Sequence, residues 1–241
     1  MNRGIKMADA LINYTDHDGV ALIQMNDGKV NAISYQMLDQ LMSALDRAEE
    51  SANAIVLTGQ PGRFCAGFDL KTMMASPQSA VDLLTRGCDL YMRLYGFSLP
   101  VVIACSGHAV AGGALLTLCG DQRIGIEGDF KIGLNEVAIK MPLPVLAMEL
   151  ARDRLSTAAL PTATLAAKLY SPVEAVTAGY LDSTVAPDRL IAHALNVGKE
   201  LGQLDRRAFK ETKRRLRGAT ISHILATLEA DMATFAGPAG N

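Results

Sequence analysis

Three glycine-bearing stretches hold the chemistry that this sequence offers: "RFCAGFDL" (63–70), "AVAGGALL" (109–116) and "IGLNEV" (132–137). Each follows a run that reads as a strand. Glycine lets a backbone approach a ligand closely and adopt conformations that other residues resist. Two such loops can aim two N–H groups at one point, and a helix opening on Gly112-Gly113 adds the positive end of its dipole. That arrangement holds an oxygen that becomes negative during a reaction. The plainer reading is that the glycines only let helices pack tightly on a sheet. One loop alone would favour it; three in this order favour a site.

The elements that must position these loops are legible. "ALINYTDHDG" and "VALIQMN" alternate and read as a hairpin closed near Asp18-Gly19. Ser34 caps a helix in which Met37, Leu38, Leu41, Met42 and Leu45 recur at helical spacing. "AIVLTG" is a buried strand, followed by the loop "QPGRFCAGFDL" and a helix over 77–95 carrying Val81, Leu84, Leu90 and Leu94. Then "PVVIAC" reads as a strand, "SGHAVAGG" as a loop, "ALLTLCG" as a helix, and "DQRIGI" and "FKIG" as short strands. A strand–strand–helix unit recurs without a strict repeat. After Pro144 the chain reads as helical. "TATLAAKLYSPVEAVTAGYLD" gives two helices parted at Ser171-Pro172, with Gly179 ending the second. Two or three more helices follow Arg189, and 237–240 reads as a frayed end.

The order "GKVNAIS … FCAGFDL … SGHAVAGGALLTLCGDQRI … IGLNEV … SPVEAVTAGYLDSTV" resembles the crotonase superfamily, the enoyl-CoA hydratase/isomerase group, over residues 10–187. The resemblance implies an α/β fold, a spiral of ββα units over 1–187. A C-terminal helical region over 188–241 would serve oligomerisation and cover the site. It implies a homotrimer or hexamer acting on an acyl-CoA thioester, with no metal and no cofactor beyond the CoA of the substrate. Matched motif to motif, the thioester oxygen is held by the backbone N–H groups of Phe68 and Gly112. Lys29, Val30, Ala32, Arg63 and Ala66 match positions that wrap the CoA, mainly through backbone atoms.

Family hydratases set two glutamates around the substrate, one to activate water and one to help deliver a proton. Here the first position, two residues after Gly113, is Leu115; the second is Glu136, with one residue inserted between Asp121 and Gly133. The pattern resembles the 3,2-enoyl-CoA isomerases, which pair an apolar first position with the second glutamate. "LYMRLYGFSLPVVIA" and the proline-bearing "IKMPLP" resemble the same group. One carboxylate suffices to take a proton from C2 and return it to C4, and an apolar Leu115 keeps water out. Leu134, Val137, Ile139 and Leu115 are expected to raise the pKa of Glu136 by disfavouring its charge. The plainer reading makes Glu136 a helix-start residue meeting backbone N–H groups, with Asn135 as local cap. Rival outcomes are an enoyl-CoA hydratase, another crotonase-type reaction such as thioester hydrolysis, and a silent acyl-CoA-binding paralogue.

Other residues read as structural. His108 packs, Asp27 and Asp69 sit at turns and a helix start, and Asp121 anchors a turn. Cys65 lacks a base to make it a thiolate. Cys65, Cys88, Cys105 and Cys119 show no metal spacing and read as buried free thiols in a reduced, cytoplasmic compartment. Residues 1–6 are polar and show no signal peptide. The long apolar run around Cys105 is broken by Pro100, Gly107, Gly112 and Gly113, which argues against a membrane span. A net charge of −2 and the absence of Trp argue against nucleic-acid or membrane partners. The basic run at 206–217 reads as a solvated helix face, with contact to a CoA phosphate or a neighbouring subunit as the sharper alternative.

Overall fold

The computed structural model describes residues 10–236; the expectations for residues 1–6 and 237–240 lie outside them. The chain opens with the expected hairpin, β1 (Ile12–His17) and β2 (Val20–Met25), paired antiparallel. Asp18 and Gly19 both have positive φ, the conformation a two-residue turn between twisted strands demands. Helix α1 (Tyr35–Ser51) follows, its first turn capped by the Ser34 side chain on the Met37 N–H. Next come β3 (Ala54–Thr58), β4 (Gly62–Cys65), the short α2 (Leu70–Met73) and α3 (Pro77–Tyr95). Then β5 (Val101–Cys105), β6 (Gly107–Val110) and α4 (Gly112–Leu118) form a second unit. β7 (Gln122–Ile126) and β8 (Ile132–Gly133) open a third. The remainder is α5 (Val145–Arg154), α6 (Leu160–Thr164), α7 (Pro172–Ala178), β9 (Ser183–Val185), α8 (Leu190–Leu201) and α9 (Arg206–Ala236).

Each unit sends its first strand to one sheet and its second to another. The large sheet runs β1-β2-β3-β5-β7-β9, parallel from β2 onward, and the small sheet runs β4-β6-β8, all parallel. This is the ββα spiral. β3 and β5 are buried on both faces, so their apolar runs are continuous rather than alternating. Ile55, Leu57, Val101 and Ile103 face the main core with α1, α3 and α4, while Val56, Val102 and Ala104 face α8.

The structure changes three readings. "GRFC" and "GHAV" are strands, not loops. Their small residues carry no alternation to announce them, and glycine is required because the backbones nearly touch: a Cβ on Gly107 would lie 2.0 Å from the carbonyl carbon of Gly62. Helix is limited to Leu160–Thr164 before Ser171, because Ala167 takes positive φ and Tyr170 bridges to Ile132. The basic run is not simply a solvated face. Lys213 and Arg217 are buried and clasp Asp121, at 2.5 and 3.0 Å. Asp121 also accepts the Val101 N–H, and Arg217 donates to the carbonyls of Tyr95, Cys119 and Gly120. α9 is thereby fixed to the ends of α3 and α4.

Removing one member of a buried ion cluster strands the others. Asp121→Ala is expected to cost about 3–5 kcal/mol, a Tm fall of roughly 10 °C. Lys199→Ala, which removes the exposed partner of Asp18 at 3.6 Å, is expected to cost less than about 1 kcal/mol. Thermal melts of the two variants check the contrast.

Candidate active site

The first wall of the site is the loop between β2 and α1, folded around two side chains. Asp27 accepts the N–H groups of Lys29, Asn31 and Ala32 at 2.7–3.1 Å. Asn31, fully buried and at positive φ, donates to the carbonyls of Arg63 and Phe64 at 3.1 Å each. Its Oδ1 accepts from the Asp27 N–H and Gln60. The loop is thus pinned to β4. Arg63 donates to the Lys29 carbonyl at 3.0 Å, and the Ala66 N–H to the Val30 carbonyl at 3.1 Å. So Lys29, Val30, Ala32, Arg63 and Ala66 form one patch, exposed apart from the half-buried Ala32. Leu115 stands apart from it, buried in the main core at the first turn of α4.

The second wall is a backbone contact between the end of β4 and the start of α4. Ile33 bridges Phe68 in parallel fashion: its N–H donates to the Gly67 carbonyl and its carbonyl accepts from the Asp69 N–H. Strand alternation then turns the N–H of Phe68 to the opposite edge, the edge on which β4 pairs β6. A Cβ on Gly67 would lie 3.1 Å from the Gly112 nitrogen, and one on Gly112 would lie 3.3 Å from the Gly67 Cα. The two amides therefore sit on adjoining chain, and the hydrogen bonds of the described residues give neither one an acceptor.

Gly113 is there for packing, since a Cβ on it would lie 1.9 Å from the Cys65 carbonyl oxygen. Gly112 carries the second of these two amides. Before it, Ala111 is held at φ 52 and ψ −123, a conformation costing about 1–3 kcal/mol for a residue with a Cβ. Its N–H donates to the Gly133 carbonyl at 3.0 Å, which ties this turn to β8.

β8 leads directly to Glu136, which is 9% exposed. The backbone N–H groups of Glu136 and Asn135 lie near enough to the carboxylate to favour its charge. Its Oε2 is buried without a partner. Burial raises the pKa above the usual carboxylate value, against the two N–H groups that lower it. The expected direction holds; of the neighbours named, Leu115 and Leu134 are buried, and Val137 and Ile139 are 43% and 48% exposed. The plainer reading holds in part, because Glu136 does meet backbone N–H groups. Asn135 caps nothing with its side-chain oxygen, which is itself buried and unpartnered.

Two residues that tie this site together escape the sequence reading, Asn31 and Tyr91. Tyr91 on α3 is fully buried, donates its hydroxyl to the Gly112 carbonyl at 2.9 Å, and sets its ring edge-on to Phe68. It also lies within electrostatic reach of Glu136. The signal for Tyr91 is a tyrosine on the apolar face of a helix, whose hydroxyl must find a partner inside. For Asn31 it is an asparagine in a turn-rich loop, a residue type that tolerates positive φ.

The residues read as structural take such places. Asp69 caps α2 through the Thr72 N–H. His108 is exposed, its ring edge-on to Phe130, and it accepts the Lys131 N–H. All four cysteines are free and buried, and burial pushes the Cys65 thiol up to about 12, well away from a thiolate. Among the described residues no cluster fit for a metal ion is present, and no helix is long and apolar enough to cross a membrane.

An unpartnered carboxylate in apolar surroundings costs stability, with a definite pH signature. The folded pKa of Glu136 is raised, so the molecule is free of this penalty below the unfolded pKa near 4.5 and acquires it as pH rises through the folded value. Glu136→Gln is therefore expected to melt higher than the parent chain at neutral pH. The gain should fade as pH falls toward 4.5. Melting curves across that range check it.

Comparison with known proteins agrees with this geometry. The enoyl-CoA hydratase/isomerase family matches residues 15–239. Human mitochondrial enoyl-CoA delta isomerase 1 is 30% identical over 222 residues, covering 90% of this chain and 74% of that protein. A crystal structure of an enoyl-CoA hydratase/isomerase family protein from Pseudomonas syringae superposes with a TM-score of 0.90 at 40% identity, covering 93% of this chain and 98% of that one. The crystal structure of human mitochondrial delta3-delta2-enoyl-CoA isomerase gives 0.90 at 28% identity, covering 94% and 91%. With a ββα spiral and a family match over nearly its whole length, the chain belongs to the enoyl-CoA hydratase/isomerase family, the crotonase superfamily of acyl-CoA enzymes.

Proposed function

We propose that this enzyme moves the double bond of a 3-enoyl-CoA into conjugation, giving a 2-enoyl-CoA, with Glu136 as its only acid–base. The observation that carries the reading is the single carboxylate. Glu136 keeps one oxygen buried and unpartnered, and the position that holds a second glutamate in hydratases is the buried Leu115. The human relative is named for delta isomerisation, which supports the same choice.

The chemistry balances with one carboxylate. Glu136 removes a proton from C2; the electron pair of that C–H bond becomes a C1=C2 enolate with its charge on the thioester oxygen. The N–H groups of Phe68 and Gly112 hold that oxygen, each donor contributing roughly 3–4 kcal/mol to the developing charge. The enolate then collapses: C1=O re-forms, the C1=C2 pair becomes C2=C3, and the C3=C4 pair takes the proton back from Glu136 at C4. A carboxyl with a raised pKa serves both halves, since it is a stronger base and holds the proton until it is returned. Dry surroundings keep water from competing.

The patch of Lys29, Val30, Ala32, Arg63 and Ala66 is assigned to CoA. A groove of about 430 Å³ between α3 and α9, lined by Val81, Thr85, Leu225, Leu228, Glu229 and Met232, is assigned to the acyl chain. Asp231 beside it accepts the Val145 N–H and so joins this wall to the start of α5. No cofactor is required beyond the CoA of the substrate. The family resemblance implies a homotrimer or hexamer; a reducing, cytoplasmic compartment suits a chain whose four cysteines are all free.

The test is isomerisation of a 3-enoyl-CoA, followed by the absorbance of the conjugated thioester. The parent chain is expected to raise the signal, and Glu136→Gln to lower kcat by about 10²–10⁴-fold. The acid limb of kcat/KM should have its midpoint above 4.5, because the base must be ionised and its pKa is raised. Supplied with a 2-enoyl-CoA, neither the parent nor Leu115→Glu should hydrate it efficiently, since a water also needs neighbours to position it. Hydration by the parent chain, or a Glu136→Gln variant as fast as the parent, would overturn the reading.

A further inference from the structure

We propose that Tyr91 is a positioning residue for the oxyanion site: its hydroxyl, bonded to the Gly112 carbonyl, and its ring, set against Phe68, hold the two donor amides in register. The proposal rests on the reading of those amides as the thioester-oxygen donors. What points to it is that one buried side chain touches both donor segments. The Tyr91 hydroxyl lies 2.9 Å from the Gly112 oxygen. The rings of Tyr91 and Phe68 meet edge to face with centroids 6.0 Å apart. One helical turn earlier, Gly87 leaves room for Phe68, since a Cβ there would lie 2.4 Å from Cε1 and Cζ of that ring. α3 thus presents a slot for Phe68 and a hydroxyl for Gly112.

The need for such a clamp follows from the backbone. The Gly112 N–H belongs to the peptide after Ala111, whose φ of 52 and ψ of −123 are held against local preference. A strained peptide stays in place only where its surroundings over-determine it. The Ala111 N–H to Gly133 fixes one side, and Tyr91 on the Gly112 carbonyl fixes the other. A Cβ on Gly112 would lie 2.6 Å from the Tyr91 hydroxyl, so the phenol is seated directly against the donor residue. Burial pushes the Tyr91 pKa well above its usual value, so the phenol keeps its proton and remains a donor throughout the working pH range.

The experiment separates the hydroxyl from the ring. Tyr91→Phe keeps the contact with Phe68 and deletes only the bond to Gly112; Gly87→Ala crowds Phe68 and leaves that bond. Two readouts are taken: the kcat and KM of isomerisation, and the C=O stretch of a bound saturated acyl-CoA labelled with carbon-13 at C1. The parent should lower that frequency relative to free ligand, because two donors polarise the carbonyl. Each variant is expected to shift it less and to lose about tenfold in kcat, a fraction of the 10²–10³ that outright loss of a donor costs, with KM changed by less than about twofold. A purely structural Tyr91 would lower Tm and leave the carbonyl frequency and kcat alone, and that result overturns the proposal. Should Tyr91→Phe fail to fold, 3-fluorotyrosine placed at position 91, which keeps ring and hydroxyl and alters only the strength of the bond to Gly112, is read in the same terms: a changed carbonyl frequency and kcat supports the proposal, and neither changing overturns it. A parent chain that does not shift the carbonyl at all contradicts the donor-pair reading itself, which distinguishes the two failures.

Discussion

The contact between two stretches of main chain, Gly67-Phe68 at the end of one strand and Gly112-Gly113 at the start of one helix, is what the rest of the structure depends on. It leaves no room for side chains: a Cβ on Gly113 would lie within 1.9 Å of the Cys65 carbonyl oxygen. The spiral brings these stretches together because the second strand of each ββα unit goes to the small sheet, where β4 and β6 lie side by side. The turns that follow those strands must then lie beside each other too. Fold and site are in this sense one geometric fact.

Around that seam the molecule accepts local costs. Ala111 is held in a conformation that favours glycine, Asn31 at positive φ pins the neighbouring loop, and Glu136 is kept from water with one oxygen unsatisfied. Such costs persist where packing over-determines the backbone. The packing comes from α3, which lies against α1, the start of α4 and α9, and from the Asp121–Lys213–Arg217 cluster that fixes α9 behind it. The cations of the C-terminal helix that look most like a surface feature are partly an internal clasp.

Much of this was legible in the sequence because its signals are local. Asp18-Gly19 marks a hairpin, Ser34 and Ser171 mark helix starts, and Gly179 at φ 99 ends α7 as a left-handed residue should. The glycine turns stand out by residue type alone, and Glu136 through its resemblance to a family position. What escaped depends on partners distant in the chain. Gly62–Cys65 and Gly107–Val110 are strands only because they pair with each other. Lys213 is buried because Asp121, 92 residues earlier, receives it. Tyr91 matters through Gly112, 21 residues on. Periodicity registers which residues are inside, and it is silent on which hydroxyl or cation meets which carbonyl.

The claim at the centre of this account is that one carboxylate carries the same proton from C2 to C4. The most direct measurement is isomerisation, in ordinary water, of a 3-enoyl-CoA carrying deuterium at C2, with the product isolated at low conversion and its C4 position read by mass spectrometry. A buried Glu136 acting alone predicts a measurable share of the deuterium at C4. Complete loss of the label to solvent from the first turnovers, with C4 filled only by protium, would contradict a single sheltered shuttle and call for a second, solvent-linked acid.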